Sequence, residues 1–130
     1  MQAVQRLITN LCVSNLSESK TFYLQLFDLE LAFDSDWFVQ LANADRSIEL
    51  GLIDKNHELV PSTYQGPAGA VYLTWVIEDV DQMYEQVKNM GAEVVAAPAD
   101  TFYGQRRMLI KDPDGILLDL SSLMATRPDM

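Results

Sequence analysis

An internal repeat constrains the fold of this chain more than any other feature of its sequence. A shift of 64 residues superposes Asn15 on Asp79, and each of these residues stands between an apolar stretch and an amphipathic one. The same shift pairs apolar residues with apolar residues: Val13 with Ile77, Leu16 with Val80, Tyr23 with Val87, Leu26 with Met90 and Leu31 with Val95. Because self-similarity at a fixed offset marks a repeated structural unit, the sequence predicts two copies of one module.

Each half of the repeat predicts the same order of elements: one strand, one helix and three strands. The helices are predicted near Leu16–Leu26 and Asp79–Met90, because Asn15 and Asp79 suit helix N-caps and the apolar residues after them recur at helical spacing. Gly91 is a suitable helix stop. Runs of aliphatic, aromatic and β-branched residues predict the strands at Val4–Val13, Leu29–Phe33, Trp37–Leu41, Ser47–Ile53, Ala70–Ile77, Ala92–Val95, Gln105–Ile110 and Ile116–Leu120.

The segment between the two repeats defines the organisation of the chain. Residues 55–69 contain Pro61, Gly66 and Pro67, a composition typical of a long connection. Module one is therefore predicted at about residues 1–54 and module two at about residues 70–122. Together they form a single domain of 130 residues, which is long enough to bury a core. The predicted fold class is α+β, with two tandem βαβββ modules.

Composition and charge narrow the range of partners. Hydrophobic residues make up 48% of the chain and charged residues 22%, as in ordinary globular proteins. The formal net charge of −10 disfavours binding to nucleic acid, which is held mainly by clustered Lys and Arg. No apolar run approaches the roughly 20 residues of a membrane helix. The sequence shows no secretory signal and has a single cysteine, Cys12, so we expect a cytoplasmic protein.

The alternation of side chains along each strand predicts two different sheet faces. One face is apolar and should form the core beneath the helices: Leu7, Leu11, Val13, Ile48, Leu50, Leu52, Leu73, Trp75, Ile77, Ile116, Leu118 and Leu120. The other face mixes apolar, hydroxyl and carboxylate groups: Ile8, Asn10, Cys12, Ser47, Glu49, Gly51, Tyr72, Thr74, Val76, Leu117, Asp119 and Ser121. Such a mixture favours a partly enclosed ligand site over a solvated face, because a carboxylate in mid-strand needs water, a partner or a ligand.

Two segments resemble a known family. Residues 13–23, with Ser14-Asn15-Leu16-Ser17 and then Phe22-Tyr23, are similar to the strand-to-helix entry of vicinal oxygen chelate proteins. Residues 103–107, followed by Asp112-Pro113-Asp114-Gly115, resemble the closing hairpin of the bleomycin-resistance branch of that superfamily. The resemblance to this glyoxalase/bleomycin-resistance group covers nearly the whole chain. It implies paired modules that form a curved mixed sheet around a cavity, and commonly a homodimer.

The resemblance also implies where a metal ion would bind. Metal-dependent members carry one ligand on the first strand of each module and one on its last strand. In this chain the first-strand places fall on Ile8 and Tyr72, and the last-strand places fall on Glu49 and Asp119. Since neither first-strand residue is the usual histidine, we expect no metal and no other cofactor. Weak binding of Mg²⁺ or Ca²⁺ by the two carboxylates stays open, and the only histidine, His57, is expected to be a surface loop residue.

The family resemblance and the loss of both histidines favour a binding protein that sequesters a drug-like or aromatic small molecule. Its predicted ligand-binding residues are Phe38, Glu49, Tyr72, Arg107 and Asp119, with the two carboxylates facing a cationic or hydrogen-bond-donating group. Two alternatives stay open. One is a metal-assisted lyase, isomerase or transferase of the same superfamily that uses Glu49 and Asp119, and the other is a sheet face that binds a protein. Whether the chain is an enzyme, and which residues would then be catalytic, the sequence leaves open.

Overall fold

The computed structural model describes residues 2–66, 69 and 71–124. The chain divides into two compact units, Met1–Ala68 and Gly69–Met130. Each unit contains one α-helix and one four-stranded mixed sheet, so the α+β class and the tandem βαβββ modules are confirmed. The strands form two separate sheets, and neither closes on itself.

The first unit contains five elements and a short 3-10 helix (Ser62–Tyr64): β1 (Thr9–Val13), α1 (Leu16–Leu26), β2 (Glu30–Asp34), β3 (Phe38–Ala42) and β4 (Glu49–Asp54). The strand order in its sheet is β1-β4-β3-β2. Strand β1 pairs with β4 in parallel, and the remaining pairs are antiparallel. Helix α1 contacts β3 and β4 and therefore covers one face of the sheet.

The second unit repeats this arrangement with β5 (Tyr72–Val76), α2 (Val80–Met90), β6 (Val94–Asp100), β7 (Gln105–Lys111) and β8 (Leu117–Leu123). Its strand order is β5-β8-β7-β6, with a parallel pair between β5 and β8. Ala70, the start of the predicted fifth strand, lies outside the described residues. Neither helix of the described chain has the length and apolar character that a membrane crossing requires.

Both helices have the N-cap residues that the sequence predicts, and the second also ends at its predicted glycine. The Asn15 side chain accepts a hydrogen bond from the Glu18 backbone N–H at 3.0 Å, and Asp79 accepts one from Gln82 at 3.1 Å. These bonds satisfy N–H groups that have no partner within the helix. Gly91 ends α2 in the left-handed conformation, with φ of 74°. The helix at Leu16–Leu26 is confirmed, and the second begins one residue later than predicted because Asp79 is its cap.

The core of each unit lies between its helix and the apolar sheet face. In the first unit the buried residues are Leu11, Val13, Tyr23, Leu26, Val39, Leu41, Leu50 and Leu52, and in the second they include Val80, Val87, Met108, Ile110, Ile116, Leu118 and Leu120. Leu7 and Ile48 were predicted for the core and are 79% and 47% exposed. That prediction is wrong because both residues precede the first paired residue of their strands, Thr9 and Glu49.

Strand β6 runs five residues beyond its predicted end at Val95. The continuation contains three alanines and Pro98, residues that are depleted in strands. Strand β6 lies at the edge of its sheet, and its pairing with β7 is irregular between Ala96 and Ala99. A proline is tolerated there because an edge strand does not need every backbone N–H for pairing.

Candidate ligand-binding site

A cavity of about 590 Å³ lies against the sheet of the first unit. Its walls are mostly aliphatic and aromatic, and the polar side chains among them are those of Arg6, Asn10 and Gln40. The complete lining is Arg6, Ile8, Asn10, Cys12, Trp37, Phe38, Gln40, Ile53, Leu59, Val60, Pro61 and Tyr64. Ile8, Asn10 and Cys12 belong to the face that was predicted to line a ligand site. The strand alternation therefore identified the face of this sheet on which the cavity lies.

Cross-strand pairing brings the lining residues of the sheet into two rows. Cys12, Ile53 and Phe38 are paired neighbours across β1, β4 and β3. Asn10 and Gln40 stand on either side of Gly51 in the next row. Because residues two apart on a strand share a face, both rows point to the same side of the sheet. The first row is apolar and the second carries amides.

Gly51 provides the space in which two of these side chains lie. A Cβ atom at Gly51 would meet Asn10 Oδ1 and would approach Phe38 Cε1 to 3.0 Å. The absence of a side chain lets the Asn10 amide and the edge of the Phe38 ring lie over strand β4. A glycine inside a strand often marks such a close approach.

A loop after β4 forms a further wall of the cavity. The His57 ring stacks on Trp37 with ring centroids 4.2 Å apart, and His57 Nδ1 accepts a hydrogen bond from the Leu59 backbone N–H at 3.2 Å. The Gln65 side chain donates to the backbone carbonyl of Val60 at 3.1 Å, and Val60 is buried. His57 therefore lies in a loop, as the sequence predicted, and its partly buried ring anchors that loop.

Glu49 is held by two neighbours at one end of the sheet. Arg6 Nε donates to Glu49 Oε2 at 2.6 Å, and Arg6 Nη2 donates to Glu49 Oε1 at 2.5 Å. Gln40 Nε2 donates to Glu49 Oε1 at 2.9 Å. The Glu49 side chain is 1% exposed and that of Arg6 is 53% exposed, so the carboxylate is enclosed while its cation reaches the cavity. A paired guanidinium offsets the cost of enclosing a carboxylate.

This pairing shifts the acid–base properties of both groups. The hydrogen bonds from Arg6 lower the pKa of Glu49, against an opposing effect of burial, and the charges of Arg6 and Arg46 lower it further. The bond to Glu49 and its negative charge raise the pKa of Arg6. Glu49 is therefore ionised at neutral pH and paired with a permanent cation. It is a poor candidate for a general base, because its proton affinity is reduced.

A polar cluster occupies the corresponding face of the second unit. Asp119 is buried and accepts hydrogen bonds from the hydroxyl groups of Thr74 at 3.0 Å and Ser121 at 2.7 Å. Arg107 Nη1 lies 3.8 Å from Asp119 Oδ2 and donates to the Tyr103 hydroxyl oxygen at 3.2 Å. The bond to Tyr103 raises the pKa of Arg107, with contributions from burial, which opposes it, and from Asp119 and Tyr72, which add to it.

The five predicted site residues are therefore distributed over both units. Phe38 lines the cavity of the first unit, and Glu49 lies behind Arg6 in the same sheet. Tyr72, Arg107 and Asp119 belong to the second unit, where Tyr72 is 56% exposed. That all five line one cavity stays a prediction.

Sequence reasoning missed several residues that line the described cavity. Arg6 could have been predicted, because it continues the alternation of Ile8, Asn10 and Cys12 along the chain. Trp37 and Tyr64 offered no such signal, because Trp37 lies in the turn before β3 and the position of Tyr64 depends on how the loop after β4 folds back.

The two carboxylates at the implied metal positions are not equivalent in the structure. The 64-residue shift superposes Asn10 on Thr74, and the paired neighbours of these residues are Gly51 and Asp119. The register equivalent of Asp119 is therefore Gly51 rather than Glu49. In addition, both Glu49 oxygens already accept hydrogen bonds from Arg6.

The residues present do not fit the transition-metal site that the resemblance implies, because Ile8 and Tyr72 stand at its first-strand places and Glu49 is paired with Arg6. Among the described residues, no three His, Cys, Asp or Glu side chains come together as a possible metal site.

Comparison with known proteins agrees with this architecture. TnmS3, an antibiotic binding protein from Streptomyces sp. CB03234, is 23% identical with a TM-score of 0.73, over 95% of this chain and 98% of that one. A glyoxalase/bleomycin resistance protein/dioxygenase family enzyme from Burkholderia phytofirmans PsJN is 19% identical with a TM-score of 0.78, over 90% and 97% of the two chains. A superfamily member from Sphaerobacter thermophilus DSM 20745 is 21% identical with a TM-score of 0.76, over 92% and 98%.

At these identities the likeness establishes the fold. No curated protein matches the sequence. The family model of the Glyoxalase/Bleomycin resistance protein/Dioxygenase superfamily matches residues 6–120, which is most of the chain. The chain belongs to this superfamily.

Proposed function

We propose that the protein binds a planar, largely apolar small molecule in the cavity of the first unit. The observation that carries this proposal is the cavity itself, whose volume of about 590 Å³ suits a drug-sized compound. Its aromatic and aliphatic walls supply contact area, and the amides of Asn10 and Gln40 supply a few oriented polar groups. Ligand sites typically combine these two features.

The aromatic side chains indicate the shape of the ligand. Trp37 and Phe38 are adjacent, with ring centroids 5.7 Å apart, and Tyr64 contributes a third ring from the loop. Aromatic rings favour offset-stacked or edge-to-face contact with other rings, so a flat aromatic compound gains the most from this wall. The likeness to TnmS3, which is an antibiotic binding protein, supports a small-molecule ligand.

The wider proposal retains the residues of the second unit. Tyr72, Arg107 and Asp119 form a polar and aromatic face that would contribute to ligand binding as the sequence predicts.

We also propose that the protein works in the cytoplasm as a homodimer. Light scattering coupled to size exclusion should then give twice the 14.7 kDa mass of the chain, and a mass equal to one chain would contradict the dimer.

A thermal-shift screen of planar aromatic compounds tests the proposed function. A ligand that binds the native state raises the unfolding temperature by mass action. Phe38→Ala removes a wall of the cavity and should abolish the shift. The matched control is Phe102→Ala, which truncates a ring that is 83% exposed in the second unit. If ligands shift the parent and Phe38→Ala equally, the cavity of the first unit is not the binding site.

A further inference from the structure

The proposed function leaves open which polar group the ligand carries, and the charge of the cavity lining bears on this question. Arg6 is the charged residue among the described residues that line the cavity. The other polar residues, Asn10 and Gln40, carry amides and are neutral. The formal charge of the whole chain is −10, so this cavity departs in sign from the rest of the molecule.

The contact with Glu49 uses only some of the N–H groups of the Arg6 guanidinium. Arg6 contacts Glu49 with Nε and Nη2, which form one edge of the planar guanidinium group. A guanidinium has five N–H hydrogens in a rigid fork, so the end formed by Nη1 and the second Nη2 hydrogen stays available to another planar acceptor. Glu49 thus fixes the orientation of the plane without using all of its donors.

The two members of the Arg6–Glu49 pair differ in burial, and only Arg6 is placed to contact a ligand. The Glu49 side chain is 1% exposed, whereas that of Arg6 is 53% exposed and lines the cavity. Gln40, which also lines the cavity, donates a further hydrogen bond to Glu49 and holds the carboxylate in place. A ligand in the cavity therefore meets the guanidinium and not the carboxylate behind it.

We infer that Arg6, oriented by Glu49, makes the cavity selective for planar aromatic compounds that carry an anionic acceptor such as a carboxylate or a phenolate. This inference rests on the proposed function and replaces the sequence-based expectation that Glu49 faces a cationic or hydrogen-bond-donating group of the ligand. The preference arises because a guanidinium binds a planar anionic acceptor with two charge-assisted hydrogen bonds. An ammonium group would instead meet a positive charge of its own sign.

Three probes that differ only in their polar group test the inference: naphthoate, naphthylmethanol and naphthylmethylammonium. Isothermal titration on the 130-residue chain at physiological salt should give the tightest binding for naphthoate. Its affinity should exceed that of the alcohol by roughly tenfold or more, as expected for hydrogen bonds to a charged group. The ammonium compound should bind most weakly.

Substitution of Arg6 should switch the preference. Arg6→Met leaves the Glu49 carboxylate uncovered, so the ammonium compound should become the preferred probe. The double variant Arg6→Met, Glu49→Gln has neither charge, and the three probes should bind to it with similar affinity. Lys88→Met makes the same change in net charge at an exposed pair with Glu85 on α2, and should leave the order of affinities unchanged.

The outcomes separate this inference from the proposed function. If the parent binds all three probes equally, or binds the ammonium compound most tightly, the selectivity is wrong while ligand binding stands. If Arg6→Met keeps the preference for naphthoate, Arg6 is not its source. If none of the three probes binds to the parent, the proposed aromatic ligand site itself is wrong.

Discussion

At the scale of single residues, the site depends on positions whose neighbours decide their role. Glu49 is a carboxylate on the predicted face, but the bidentate contact with Arg6 makes it a support for a cation. Gly51 has no side chain, and this absence lets Asn10 and Phe38 lie where they line the cavity. Parity along the strands predicts which face such residues occupy. It does not predict which of them contact one another, because that depends on side-chain reach across strands.

Gly51→Ala should affect ligand binding more than stability. The added methyl group meets the ends of two side chains, Asn10 and Phe38, and Asn10 is exposed and free to swing away. The cost in unfolding free energy should therefore stay below the roughly 1 to 3 kcal/mol typical of overpacked cores. Displacement of both side chains should weaken a bound aromatic ligand by about tenfold. Urea denaturation and isothermal titration measure the two effects, and unchanged affinity would contradict the account of Gly51.

The pairing of Glu49 with Arg6 predicts a stability difference that depends on pH. Because the pKa of Glu49 is lower in the folded protein than its ordinary value of 4.5, the pair stabilises the fold above that value. The stabilisation is lost as the pH falls through the lowered folded-state pKa. Parent and Glu49→Gln should therefore differ most in unfolding free energy near pH 7, and the difference should shrink below about pH 4.5. Urea titrations across this range measure it, and a difference independent of pH would contradict the ion pair.

At the scale of elements, local sequence signals predicted the helices well and the loops poorly. The helices have caps at Asn15, Asp79 and Gly91. Each cap depends on the side chain or the backbone conformation of a single residue, so it can be recognised in the sequence. The extension of β6 through Pro98 depends on its place at the sheet edge, which no local pattern reveals. The wall formed by the loop after β4 depends on the stacking of His57 on Trp37, a contact between residues 20 positions apart.

The turn between β7 and β8 offers a test at this scale. Asp112 is buried, and its Oδ1 accepts backbone hydrogen bonds from Asp114 at 2.9 Å and Ile116 at 2.8 Å. Asp112→Ala removes this acceptor and should lower the unfolding free energy by about 1 to 3 kcal/mol. Chemical denaturation measures the change, with Asp28→Ala at an exposed position of the first unit as the control. A loss no larger than that of the control would show that the turn does not depend on Asp112.

At the scale of the whole molecule, the repeat predicted the architecture, whereas net charge carried no information about the site. The 64-residue shift superposes α1 on α2, and the two sheets have the same strand order. The shift could not reveal that Asp119 is the register equivalent of Gly51, because the segments between β1 and β4 and between β5 and β8 differ in length. The formal charge of the chain is −10, yet the charged residue in the described cavity lining is Arg6. Net charge is a sum over the chain and does not determine the sign at one site.

The central claim is that the cavity of the first unit holds the ligand, and Cys12 reports on this directly. Cys12 is the only cysteine of the chain and lines the cavity. The rate at which iodoacetamide alkylates its thiol, measured by mass spectrometry, should fall when an aromatic ligand fills the cavity. At a ligand concentration ten times the dissociation constant, the rate should fall by about tenfold, in proportion to the unoccupied fraction.

The control for this measurement is the variant Cys12→Ser, Thr21→Cys, which moves the only thiol to an exposed position on α1. Its alkylation rate should not change with ligand. Protection of Cys12 without protection at position 21 is the result that the account predicts. If Cys12 is alkylated at the same rate with and without a ligand whose saturation is established by titration, the ligand binds elsewhere and the account is contradicted.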